Sequence, residues 1–136
     1  MEKHKNIYII IIFFFIFGGL FGLKYYFQDK TGLPQYALRN SEVRAAYEYA
    51  LENPELLKQI PCNCGCNRLG HQNVEDCFVK EFKNNGKVVF EEHGANCGVC
   101  YSTALDSKNL FKEGKSPQEI RDFINKKYSY FINNIN

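Results

Sequence analysis

The chain has 136 residues, a formal net charge of +2, and 45% hydrophobic and 15% aromatic content. Much of the apolar excess lies in the first 27 residues; removing them leaves 109, one domain's worth with a small core. Lys3, Lys5, Lys24 and Glu2 leave with that run, so the remainder is formally neutral with no basic patch, which argues against a nucleic-acid partner.

Residues 7–23 are uncharged and almost wholly apolar, preceded by Lys3, His4 and Lys5 and followed by Lys24, Tyr25, Tyr26 and Phe27. That length approaches the roughly 20 residues a spanning helix needs. The flanking lysines favour a cytoplasmic N-terminus, and the aromatic residues mark the opposite interface. No small-residue cleavage site follows, so the expectation is an uncleaved single-pass anchor over residues 1–27, with the rest of the chain extracytoplasmic. Gly18 and Gly22 form a G-x-x-x-G, read as small residues near the end of a span.

Residues 28–39 read as a polar linker and residues 40–132 as the folded domain, with a tail at 133–136. Asn40 or Ser41 caps a helix whose stripe is Val43, Ala46, Tyr47, Ala50 and Leu51. Asn53 and Pro54 restart the chain, with Leu56, Leu57 and Ile60 facing inward, until Pro61 ends the turn. Asn85-Gly86 between CFVKEF and KVVFEE predicts a two-residue hairpin in which Phe82 faces Val89, Lys80 faces Glu91 and Phe78 faces His93. That register sets Cys77, at the start of one strand, beside His93, at the end of the other. Asn96 is placed as the cap of a helix that opens with Cys97 and Cys100 and stops before Gly114. Ser116, Pro117 and Glu119 form a capping box for a last helix with Ile120, Phe123, Ile124, Tyr128 and Phe131 on one face. The fold class is therefore α+β, mostly α: an N-terminal transmembrane helix, then a small helical domain with one β-hairpin.

All six cysteines fall between Cys62 and Cys100. Cys62, Cys64 and Cys66 alternate in a turn bounded by Pro61 and broken by Gly65, where three sulfurs converge more readily than they bridge one another. Cys97 and Cys100 are a C-x-x-C at a helix start, where the dipole favours thiolate, the form that binds metal and attacks disulfides. Three readings follow. In the first, Cys62, Cys64, Cys66, His71, Cys77, His93, Cys97 and Cys100 supply a metal site, with soft sulfur ligands suiting Cu(I) and then Zn(II). In the second, the six cysteines are three structural disulfides of an exported domain. In the third, Cys97 and Cys100 are a redox pair. No nucleophile with base and orienter, phosphate loop or open zinc signature is present, which argues against an enzyme outside the third reading. The leading expectation is a membrane-anchored protein that sequesters Cu(I) or hands it to a metal-accepting protein partner.

At Pro61, Cys62, Asn63, Cys64, Gly65 and Cys66 the chain resembles the bacterial family named for its PCYCGC motif. The likeness continues through Gly70, His71, the string Asp76 to Val79, and His93, Gly94, Asn96, Cys97 and Cys100. Asn63 stands where the motif has Tyr, and a membrane span stands where many members resemble lipoproteins. The resemblance implies that these residues form one site; it names no reaction.

Overall fold

The computed structural model describes residues 13, 17–19, 32–65 and 69–133, and the chain divides into two units, Met1–Gly32 and Leu33–Asn136. In the first unit the Phe13 and Phe17 rings stack with centroids 5.0 Å apart. Apart from residues 13 and 17–19, the expected anchor lies outside the described residues. Among those described, no helix is long and apolar enough to cross a membrane.

The second unit is mostly helical with one two-stranded antiparallel hairpin. It begins inside the expected linker, where a 3-10 turn over Gln35–Leu38 buries Ala37 completely. Helix α1, Ser41–Glu52, starts where the Asn40 side chain accepts the Val43 N–H at 2.8 Å. Of its expected stripe, Val43, Ala46, Tyr47 and Ala50 are buried as the spacing predicts and Leu51 is half-buried. A short helix α2, Pro54–Leu57, has Pro54 in its first turn; Asn53 precedes it without a side-chain cap. Leu56, Leu57 and Ile60 are buried behind it.

Strands β1, Val79–Phe82, and β2, Val88–Phe90, form the hairpin, but its register differs from the expected one. Phe82 pairs with Val88 rather than Val89, and Val79 pairs with Phe90. The tip is a three-residue loop. Gly86 N–H donates to the Lys83 carbonyl at 2.9 Å and Lys83 N–H to the Lys87 carbonyl at 2.8 Å. Gly86 alone takes a positive φ, 78°, whereas a two-residue Asn-Gly turn would require one at Asn85 as well. An irregularity between Val79 and Glu81 then absorbs one residue, and Lys80 still reaches Glu91 at 3.1 Å. Cys77 and His93 are not strand residues: Cys77 ends a 3-10 turn over Glu75–Cys77, and His93 opens the short helix α3, His93–Asn96.

Helix α4, Gly98–Lys112, is preceded by Cys97 in extended conformation, so Cys97 and not Asn96 occupies the cap position. Asn96 instead bonds the Glu92 carbonyl at 3.4 Å and accepts from Arg39 at 3.2 Å. Helix α5, Pro117–Asn133, begins with the expected capping box: Ser116 N–H donates to Glu119 at 2.8 Å and Glu119 N–H to Ser116 Oγ at 3.3 Å. Its buried line is Ile120, Ile124 and Tyr128. Phe123 is 43% exposed instead, one step off the line that α5 lays on α4. The side chain of Phe131 lies outside the described ones.

Tyr47 ties the layers together. Its ring stands edge-on to Phe78 at 5.0 Å and tilts on Phe90 at 6.2 Å, while its hydroxyl donates to the Glu91 carbonyl. Burying an aromatic such as Phe78 contributes on the order of 1.5–3 kcal/mol, so this contact holds the base of the hairpin to α1.

Candidate metal centre

The turn that carries Cys62 and Cys64 is held at both flanks. Val74 N–H donates to the Ile60 carbonyl at 2.9 Å, Cys62 N–H to the Gln72 carbonyl at 3.4 Å, and Pro61 and Asn73 form an isolated bridge. The Asp76 carboxylate accepts the N–H groups of Gln72 at 2.8 Å and Asn73 at 3.1 Å, while Asn73 accepts the Asp76 N–H at 3.2 Å. This reciprocal closure fixes the segment that ends at Cys77. Asn63, buried at the centre of the motif, donates its amide to Asn125 on α5 at 3.0 Å.

Against this turn the fold sets the other sulfurs. Cys62 Sγ is 3.3 Å from Cys64 Sγ and 3.5 Å from Cys77 Sγ; Cys100 Sγ is 3.3 Å from both Cys64 and Cys77. A four-coordinate zinc or copper ion with sulfur ligands at about 2.3 Å would separate them by about 3.8 Å, so these four separations are slightly shorter than those of a loaded site. Cys64 Sγ also lies 3.8 Å from His93 Nε2. Two groups of four ligand atoms result, each with all atoms within 4.8 Å of one another: Cys62, Cys64, Cys77 and Cys100, and Cys64, His93, Cys97 and Cys100. A cluster of this kind can hold a metal ion.

No disulfide joins two of the described cysteines. Cys62, Cys77, Cys97 and Cys100 are thiols, so three structural disulfides are not what the fold contains; Cys64 is disulfide-bonded. The full sulfur set therefore becomes available to a metal when that bond is reduced.

The thiols are electrostatically unequal. Cys97 is pulled down to about 5, first by the Cys100 thiol and also by the N–H groups of Val99 and Cys100 at the start of α4, against the opposing effect of burial. Cys100 is held well above the usual thiol range because it bonds Cys62, Cys77 and Cys97 and is buried. Cys77 is drawn down by Cys100, but the bond from Cys62 and burial prevail and raise it. A crowded set of buried thiols that resists ionisation gains charge compensation when a cation replaces the protons.

Of the eight residues expected at the site, Cys62, Cys64, Cys77, His93, Cys97 and Cys100 come together. Cys66 lies outside the described residues. His71 is not in either ligand group; it is buried with its ring edge-on to His93 at 5.4 Å, and its Nδ1 has no hydrogen-bond partner among the described residues. Sequence spacing missed Gly94 as a packing determinant. A Cβ there would stand 2.6 Å from the Cys77 carbonyl and from the Phe78 ring, so only glycine lets α3 seat His93 against the cluster. Beside the cluster an open cavity of about 860 Å³ is lined by His93, Cys97, Val99, Tyr101, Leu105 and Tyr128 among others.

Comparison with known proteins returns one family: the model described as "Protein of unknown function with PCYCGC motif" matches residues 26–132. No curated protein and no solved structure matches the chain.

Proposed function

The chain belongs to the PCYCGC-motif family, and from that premise we propose that its cysteine cluster binds a soft metal ion, Cu(I) foremost and Zn(II) next, for sequestration or delivery to a partner protein. The observation that carries this reading is the convergence of Cys62, Cys64, Cys77 and Cys100 from three separate chain segments within 4.8 Å. Hydrophobic packing alone gives no reason to bring four cysteine sulfurs into contact at 3.3–3.5 Å. The apolar run over residues 7–23 supports a single-pass anchor that holds this domain outside the cytoplasm. Full-length chain purified in detergent, reduced and kept anaerobic, is expected to retain Cu(I) or Zn(II) through desalting, with thiolate-to-metal charge-transfer absorbance. Cys64→Ser should weaken retention. A reduced chain that retains neither ion refutes the proposal.

One observation favours a second reading. The half-buried Cys97, with its pKa depressed to about 5, and the buried, protonated Cys100 have the asymmetry of an exchange pair. If the chain reduces a model disulfide, Cys97→Ser abolishes that activity and no metal is retained, thiol–disulfide exchange is the function instead.

A further inference from the structure

The two ligand groups overlap in two atoms, and this overlap bears on how many ions the cluster takes. Cys62 and Cys77 belong only to the first group, His93 and Cys97 only to the second, and Cys64 and Cys100 to both. Together they present six ligand atoms, two more than one four-coordinate d10 ion accepts. The shared Cys64 and Cys100 sulfurs are 3.3 Å apart. Two ions, each about 2.3 Å from both sulfurs, would lie about 3.2 Å from one another on opposite sides of that pair, an acceptable separation for a thiolate-bridged pair of cations.

We propose that the reduced site is binuclear, with Cys64 and Cys100 bridging an inner ion completed by Cys62 and Cys77 and an outer ion completed by His93 and Cys97. This rests on the metal-binding reading and specifies its stoichiometry. Three of the inner ligands, Cys62, Cys77 and Cys100, are buried; three of the outer ones, Cys64, His93 and Cys97, are half-buried. His93 and Cys97 also line the open cavity. The inner ion is thereby the retained one and the outer ion the exchangeable one, reached from the cavity through ligands that an incoming thiolate or imidazole can replace. Charge points the same way. Five thiolates leave two divalent ions with a net charge of −1 against −3 for one, and two Cu(I) ions with −3 against −4 for one, and each bridging sulfur divides its charge between two cations.

The test is titration of the reduced, metal-free full-length chain in detergent with Co(II) under anaerobic conditions, followed by absorbance and by electron paramagnetic resonance. The expected result is two equivalents bound per chain, with the high-spin signal rising over the first equivalent and falling over the second as the bridging sulfurs couple the ions. The double variant His93→Ala, Cys97→Ser changes only half-buried side chains and should take a single equivalent, with the signal retained and the circular dichroism of the parent. Saturation of the parent at one equivalent overturns the binuclear assignment and leaves the metal-binding reading standing. Two equivalents with additive signals overturn the bridge, and a double variant that still takes two overturns the outer site. A chain that takes up Cu(I) but no Co(II) overturns the four-coordinate binuclear assignment, and if it takes up no Co(II), Zn(II) or Cu(I), the metal-binding reading itself falls.

Discussion

Gly94→Ala probes how the fold delivers α3 to the cluster. The added methyl carbon would stand 2.6 Å from the Cys77 carbonyl oxygen and 2.6 Å from two carbons of the Phe78 ring, well inside van der Waals contact on both sides. Neither neighbour can yield cheaply. The Cys77 oxygen is backbone, and Phe78 is fully buried with its ring wedged edge-on against Tyr47 at 5.0 Å. Relief must come from moving α3 away from the Cys77–Phe78 segment. Overpacking of this kind costs about 1–3 kcal/mol. For a compact unit of this size that corresponds to a fall in Tm of roughly 5–20 °C. The same displacement carries His93 and Cys97 outward, so the variant should also retain less metal than the parent at equal protein concentration. Thermal melts followed by circular dichroism, paired with metal analysis after desalting, separate the two effects. A Tm within a degree of the parent, with undiminished metal, would show that the close approach at Gly94 is not what seats α3.

Other expectations are equally direct. In reduced, metal-free chain, Cys97 should be the first thiol alkylated by iodoacetamide. Because its pKa is lowered to about 5, its rate should stay nearly flat from about pH 8 to pH 6 and fall only as pH drops through about 5; a tenfold loss per unit already below pH 8 would contradict the depressed value. His71→Phe keeps the edge-on contact with His93 and removes the buried Nδ1, so metal content should be unchanged; loss of metal would make His71 a ligand. Tyr47→Phe strips the hydroxyl that bonds the Glu91 carbonyl and should destabilise the fold by about 1–3 kcal/mol in a denaturant titration, with metal binding intact once folded. Asn40→Ala removes the cap of α1 and should cost about 1 kcal/mol in the same assay.

The helices were legible because their signals are local. Asn40 before the stripe of Val43, Ala46, Tyr47 and Ala50, Pro54 opening α2, and the Ser116 to Glu119 box each use hydrogen bonds and periodicity contained within one turn or one face. The hairpin was legible as a hairpin but not in register. Its tip depends on whether one residue or two adopt positive φ, and that one-residue difference moves Phe82 from Val89 to Val88. The cap of α4 is Cys97 and not Asn96 because Asn96 still belongs to α3, and Cys97 is the residue whose backbone turns extended between the two helices.

The amino-acid sequence by itself determined that all six cysteines cluster between residues 62 and 100, and that the motif turn cannot be a helix. Only the tertiary structure decided which of them meet. It brought Cys62 and Cys64 against Cys77 and Cys100, set His93 and Cys97 beside Cys64 and Cys100, and put the His71 ring 5.4 Å from that of His93, in neither ligand group. The physical reason is that ligand distances are set where three chain segments cross, by the Asp76 closure, the Tyr47–Phe78 contact and the missing side chain at Gly94. Residue spacing encodes neighbours along a helix or strand; the separation of two sulfurs from different segments depends on everything packed between them.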